Sequence, residues 1–140
     1  MTTTQSEDPN ERVDHPRHYN AHPSGIECID LIEHLPTNLG NAVKYVWRCG
    51  LKTSETPLRD LKSARWYVER ESNRVDLYEL WGTDRLKPKT DVVWRALARQ
   101  VNEKDNCGLL SQFLMTLLDE NFDEMLDVLD HAISGLEEVK

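Results

Sequence analysis

The chain has 140 residues, 39% of them hydrophobic, and a formal net charge of −8 at pH 7. That length supports one domain with a hydrophobic core of its own, so disulfides are not needed to hold it. The acidic balance argues against a duplex nucleic acid partner, which takes several phosphate-neutralising cations. No apolar run approaches the ~18 residues of a membrane span, so no membrane partner is expected.

Residues 1–12 are polar, lack the apolar core of a signal peptide and are expected to be a disordered leader. Residues 11–23 carry two prolines and no apolar period, which predicts an irregular loop. Ser24-Gly25-Ile26-Glu27 reads as a capping box opening a first helix to about Leu35. Ile26, Ile29, Ile32 and Leu35 form its row, and Pro36 ends it. Thr37 or Asn38 caps a second helix, which stops at Gly50. Thr56-Pro57 starts a third with proline in the first turn. Leu58, Leu61, Ala64 and Val68 point inward there, and the helix continues through Val75 and Tyr78 toward Trp81. Gly82 to Thr90 is a loop.

Asp91 caps a fourth helix with Val93, Leu97 and Val101 inward, and Asn106-Cys107-Gly108 breaks the chain. Leu109 to Leu118 is a strongly apolar fifth helix carrying Leu110, Phe113, Leu114 and Leu117. Asn121 or Asp123 starts a sixth with Phe122, Met125, Leu129, Ile133 and Leu136 in a stripe. No alternating strand pattern and no repeat is present. The expected fold is all-α, a compact domain of five to six helices with an irregular N-terminal loop. Residues 13–81 form its core. Residues 91–140 form a helical extension that covers the core or makes a homo-oligomer interface.

The chemistry concentrates around the second helix. Asn41, Lys44, Tyr45 and Arg48 recur at i, i+3, i+4 and i+7 and share one face. Leu39, Val43 and Val46 take another face, which can turn to a core. An amide, two cations and a ring together suit a phosphorylated ligand with a flat base. Residues 44–74 hold eight Lys or Arg against four Asp or Glu, whereas residues 105–140 hold one Lys against nine acids. The basic stretch permits a small anionic ligand; a solvated helix face is the plainer reading. Arg17, Lys44, Arg48, Lys62 and Arg65 are the cations that could surround an anion. Tyr19, Tyr45, Trp47, Trp66 and Tyr67 are the rings that could stack on a base, with simple core packing as the alternative for Trp47, Trp66 and Tyr67.

His15-Pro16-Arg17-His18 and His22 invite a metal reading with Glu27 and Asp30, but the histidines lack helical register. The favoured reading is that Pro16 stiffens a loop that aims His18 and Tyr19 at a pocket. Glu27 and Asp30, one turn apart, are the pair a Mg²⁺ site would want. No Gly-rich phosphate loop and no dinucleotide fingerprint is present. Cys28, Cys49 and Cys107 are odd in number and make no CxxC pair, which fits buried thiols in a reducing, cytoplasmic setting; Cys49 or Cys107 as a nucleophile is the alternative.

His15-Pro16-Arg17-His18-Tyr19, Gly25-Ile26-Glu27-Cys28-Ile29-Asp30, Gly40-Asn41-Ala42-Val43-Lys44-Tyr45-Val46-Trp47-Arg48 and Asp60-Leu61-x-x-Ala64-x-Trp66-Tyr67 occur in that order. Together they resemble the small nucleotide kinases of short-tailed coliphages, over roughly residues 13–71. The resemblance implies phosphoryl transfer from ATP to a deoxynucleoside monophosphate, dTMP or dGMP, in the cytoplasm of an infected bacterial host. It points to His15, His18, Tyr19, Glu27, Asp30, Asn41, Lys44, Tyr45, Arg48, Trp66 and Tyr67.

On that reading Lys44 and Arg48 hold phosphates, and His15, Arg17 or His18 close over them. Tyr19 or Tyr45 stacks on the base, with Trp66 and Tyr67 beside it. Asn41 reads the base edge or a sugar hydroxyl, and Glu27 and Asp30 hold Mg²⁺. A non-catalytic protein that sequesters a nucleotide would use the same pocket. An all-α nucleotide pyrophosphohydrolase would want a second acidic pair where Asn41 and Lys44 stand. A host-protein-binding module would use the acidic C-terminal helices.

Overall fold

The computed structural model describes residues 22–50, 56–81, 92–105 and 108–139, with backbone alone for residues 50, 75–81 and 139. The expected leader, the Gly82–Thr90 loop, the Asp91 cap and the Asn106-Cys107 break lie outside the described residues. The described residues form six helices: α1 (Cys28–Ile32), α2 (Thr37–Gly50), α3 (Pro57–Trp81), α4 (Val92–Lys104), α5 (Leu109–Leu118) and α6 (Phe122–Val139). Among the described residues there is no strand, so the all-α expectation holds. No described helix is long and apolar enough to cross a membrane.

The α2 helix packs along α3, α3 against α6, and α5 fills the space between α2 and α6. Shorter α1 and α4 lie on the flank, touching each other as well as α2 and α5. Helical periodicity explains the core. Leu39, Ala42, Val43, Val46 and Trp47 of α2 are all 0% exposed and meet Leu61, Ala64 and Val68 of α3 in one cluster. Leu110, Phe113, Leu114 and Leu117 of α5, with Met125, Leu129 and Ile133 of α6, complete it as the apolar stripes require.

Two stripes differ from expectation. The first helix begins at Cys28, not near Ser24, and lasts five residues. Ser24 is used in a turn instead: its Oγ accepts the Ile26 N–H at 3.1 Å, and the Gly25 N–H donates to the His22 carbonyl at 3.0 Å. Gly25 takes φ +79 in that turn, a left-handed conformation that favours glycine. The capping box moves three residues on, to Glu27 and Asp30. Cys28 and Leu31 therefore turn inward while Ile29 is half exposed. In α4 the inward residues are Trp94, Ala98 and Val101, and Val93 is exposed. The indole has more apolar area to bury than valine, and its Nε1–H donates to the Leu31 carbonyl at 3.1 Å, which sets the helix one residue round.

Neither proposed cap of α2 acts as one, because Thr37 and Asn38 both lie inside the helix. The Asn38 amide donates to Glu71 Oε1 at 3.0 Å, joining α2 to α3. Asn121 does cap α6: its Oδ1 accepts the Glu124 N–H at 3.1 Å.

Candidate functional site

Opposite its core face, α2 carries Asn41, Lys44, Tyr45 and Arg48, each partly exposed. Lys44 Nζ lies 5.6 Å from the centroid of the Tyr45 ring. The Tyr45 ring stacks across the helix seam on Tyr67 of α3, with centroids 6.1 Å apart and planes 16° from parallel. Tyr67 in turn meets Trp66 edge to face at 5.0 Å, and the Arg70 guanidinium lies 5.8 Å from the Trp66 ring. A row of cation, ring, ring, ring and cation thus crosses the α2–α3 seam. Such contacts fix the rings by cation–π and aromatic attraction and leave polar atoms at the surface. The three aromatic candidates separate: Trp47 is core, Tyr67 is half-buried and Trp66 is 55% exposed.

Arg48 has a partner that sequence reasoning did not assign. Its Nε lies 3.7 Å from Asp60 Oδ2, and Asp60 is 4% exposed. That separation is an ion pair without a hydrogen bond, and Oδ2 has no hydrogen-bond partner of its own. Asp60 sits in the first turn of α3, where a carboxylate is favoured by the helix dipole; this is the signal that was available. Arg65, grouped with the site cations by sequence, is committed elsewhere. Its Nε donates to Asp130 Oδ1 at 2.6 Å and its Nη1 to Glu69 Oε2 at 3.3 Å.

Glu27 and Asp30 come together at the start of α1, each capping the other's backbone. The Glu27 N–H donates to Asp30 Oδ2 at 3.1 Å. Among the described residues no three His, Cys, Asp or Glu side chains converge as metal ligands would. Lys44 and Asp30 both lie within electrostatic reach of the Cys28 thiol. Burial pushes that thiol up to about 12, against the pull of Lys44, so Cys28 stays protonated and inert. Cys49 is half-buried, and Cys107 lies outside the described residues.

His22 is buried beside Trp47, with ring centroids 5.2 Å apart. Its Nδ1 accepts the Ser24 N–H at 3.0 Å and lies 2.8 Å from Ser24 Oγ. That leaves the ring proton on Nε2, which faces Asp105 Oδ1 at 3.7 Å and has no hydrogen-bond partner. Asp105 Oδ2 meanwhile accepts the N–H groups of Gly108 and Ser111 at 3.1 and 2.9 Å, holding the start of α5. Burial lowers the imidazole below its ordinary 6.5, outweighing Asp105, which pulls it up. The folded chain therefore keeps His22 neutral while the unfolded chain takes a proton as pH falls through 6.5. Stability from this group is present above that pH and is lost below it. Urea midpoints between pH 8 and 5 are expected to fall less steeply in His22→Gln than in the parent. An unchanged slope would exclude His22 as the cause.

His15, Arg17, His18 and Tyr19 lie outside the described residues. A family model described as a protein of unknown function, DUF3310, matches residues 13–69. No curated protein and no solved structure matches the chain. The matched span covers α1, α2 and the first half of α3, and so holds both sides of the seam. It also corrects the resemblance to coliphage nucleotide kinases: the family that matches has no assigned function, and nothing names a nucleotide kinase. A family match over part of the chain carries no activity with it, because activity depends on what the side chains do together.

Proposed function

We propose that this protein binds a nucleoside phosphate along the α2–α3 seam and supports phosphoryl transfer from ATP to a deoxynucleoside monophosphate of the dTMP or dGMP class. One observation carries the reading. Lys44 and Arg48 stand one turn apart on a partly exposed face, beside a Tyr45–Tyr67 stack that crosses the seam. Phosphoryl transfer rests on positioning and charge stabilisation, so two cations held beside a ring platform are the parts it needs first. Asn41 supplies an amide for the base edge or a sugar hydroxyl. Asp60 holds Arg48 from below. His15, Arg17 or His18 remains in the proposal as the group that closes over the phosphates, and Tyr19 as the alternative to Tyr45 for stacking on the base.

A second reading is sequestration without turnover. It is favoured by the capping roles of Glu27 and Asp30, which occupy the two carboxylates expected to serve a metal. Purified protein incubated with ATP and each deoxynucleoside monophosphate, with and without Mg²⁺, separates the two. Diphosphate formed in proportion to protein supports transfer. A saturable thermal shift with no product supports sequestration. Neither signal rejects nucleotide binding at the seam.

A further inference from the structure

A cleft of about 720 Å³ opens between the start of α3 and the end of α6, one helix face away from the seam. Its volume falls within the roughly 300–1,000 Å³ of small-molecule sites. Arg59, Lys62, Ser63 and Trp66 line it along α3, at the 3- and 4-residue spacings of one helix face, and Pro57 and Leu136 form apolar wall. Among the described Phe, Tyr and Trp side chains Trp66 is the most exposed, at 55%. Its orientation is already fixed, edge to face on Tyr67 at 5.0 Å, so stacking on it orders little more. The positive end of the α3 dipole opens on the same space. Two cations and a hydroxyl beside a preset indole, on a chain of net charge −8, are a local exception to the protein's charge.

We infer that this cleft is a second binding site, separate from the α2 face, and that it takes a nucleoside polyphosphate. The base stacks on Trp66, and the phosphates meet Arg59, Lys62 and the Ser63 hydroxyl. Glu137 of α6 guards the site: its Oε2 lies 3.4 Å from Lys62 Nζ, and both side chains are about half exposed. Such an exposed pair is weak, so a phosphate displaces the carboxylate at small cost. The inference does not depend on turnover at the seam.

Equilibrium dialysis of the full chain with ADP, adenosine and inorganic pyrophosphate tests it. ADP is expected to bind more tightly than either fragment. Arg59→Ala and Lys62→Ala should each weaken ADP at least tenfold at an unchanged melting temperature. Glu137→Gln should tighten it, because the competing carboxylate charge is gone. Lys44→Ala should leave this site intact. Pyrophosphate binding as tightly as ADP would remove Trp66 from the site and overturn the inference. ADP binding indifferent to Arg59→Ala and Lys62→Ala would overturn it too, and if that binding were lost in Lys44→Ala, the ligand would belong to the seam alone. Unfolding of either cation variant shifts the decision to Glu137→Gln: no gain in affinity there rejects the cleft.

Discussion

Lys44→Ala is expected to weaken nucleotide binding about ten- to a hundredfold while leaving the helical circular-dichroism signal unchanged. The magnitude follows from losing one charge-assisted hydrogen bond, about 1.5–3 kcal/mol, at about 1.4 kcal/mol per decade. The structural side of the claim follows from the helix face. Lys44 lies opposite Leu39, Ala42, Val43, Val46 and Trp47, so its truncation opens no cavity in the core. Its contact with the Tyr45 ring at 5.6 Å is a partly exposed cation–π pair of modest worth. Arg48→Ala should show the same loss of binding, with one complication. It strands the buried Asp60 carboxylate, whose Oδ2 has no hydrogen-bond partner. Arg48→Ala combined with Asp60→Asn removes that unpaired charge and isolates the binding effect. Isothermal titration against dTMP and dGMP reads both variants. Unchanged affinity in Lys44→Ala, or its unfolding, would take the α2 face out of the proposed site.

The same face shows why local pattern carried part of the structure and not the rest. The stripes of α2, α5 and α6 are long and regular, and spacing alone placed Leu39, Val43, Val46, Leu110, Phe113, Leu114, Leu117, Met125, Leu129 and Ile133 inward, while it left Trp47 open between core packing and base stacking. In α1 the signal was ambiguous, because Ser24 fits a capping box and a turn equally well. The turn prevails because its hydroxyl and Nδ1 of His22 lie 2.8 Å apart. In α4 two adjacent apolar residues competed for the inward position, and the Leu31 carbonyl, 63 residues away in sequence, decided for Trp94. The buried carboxylates were invisible for the same reason. Glu71 is 1% exposed because Asn38 and Arg74 donate to it, and Asp60 is buried beside Arg48. Each depends on a partner from a helix that only the tertiary fold brings near. Trp47 and Trp66 make the point most sharply: one type of residue is core in α2 and cleft lining in α3, according to helix phase.

Trp47→Ala is expected to destabilise the protein by about 3–5 kcal/mol, the usual result of emptying a fully buried aromatic site. That is a large share of the roughly 5–15 kcal/mol that holds a domain of this kind. The melting temperature should fall by on the order of 10 °C or more. The effect reaches beyond packing volume, because the indole is also the floor under His22. His22 is in turn buried against Asp105, whose other oxygen caps α5. Removing Trp47 lets water reach the imidazole, and the penalty that keeps His22 neutral shrinks. The variant should therefore lose part of the fall in stability below pH 6.5 as well as stability itself. A double-mutant cycle of Trp47→Ala with His22→Gln, followed by urea unfolding at pH 7.5 and 5.5, separates these contributions. The coupling should be non-zero, about 0.5–3 kcal/mol for residues in direct contact, and should differ between the two pH values. A Trp47→Ala cost under about 1 kcal/mol would mean that the site collapses around the smaller side chain. Strict additivity at both pH values would mean that the histidine is held by Ser24 and Asp105 without help from the indole.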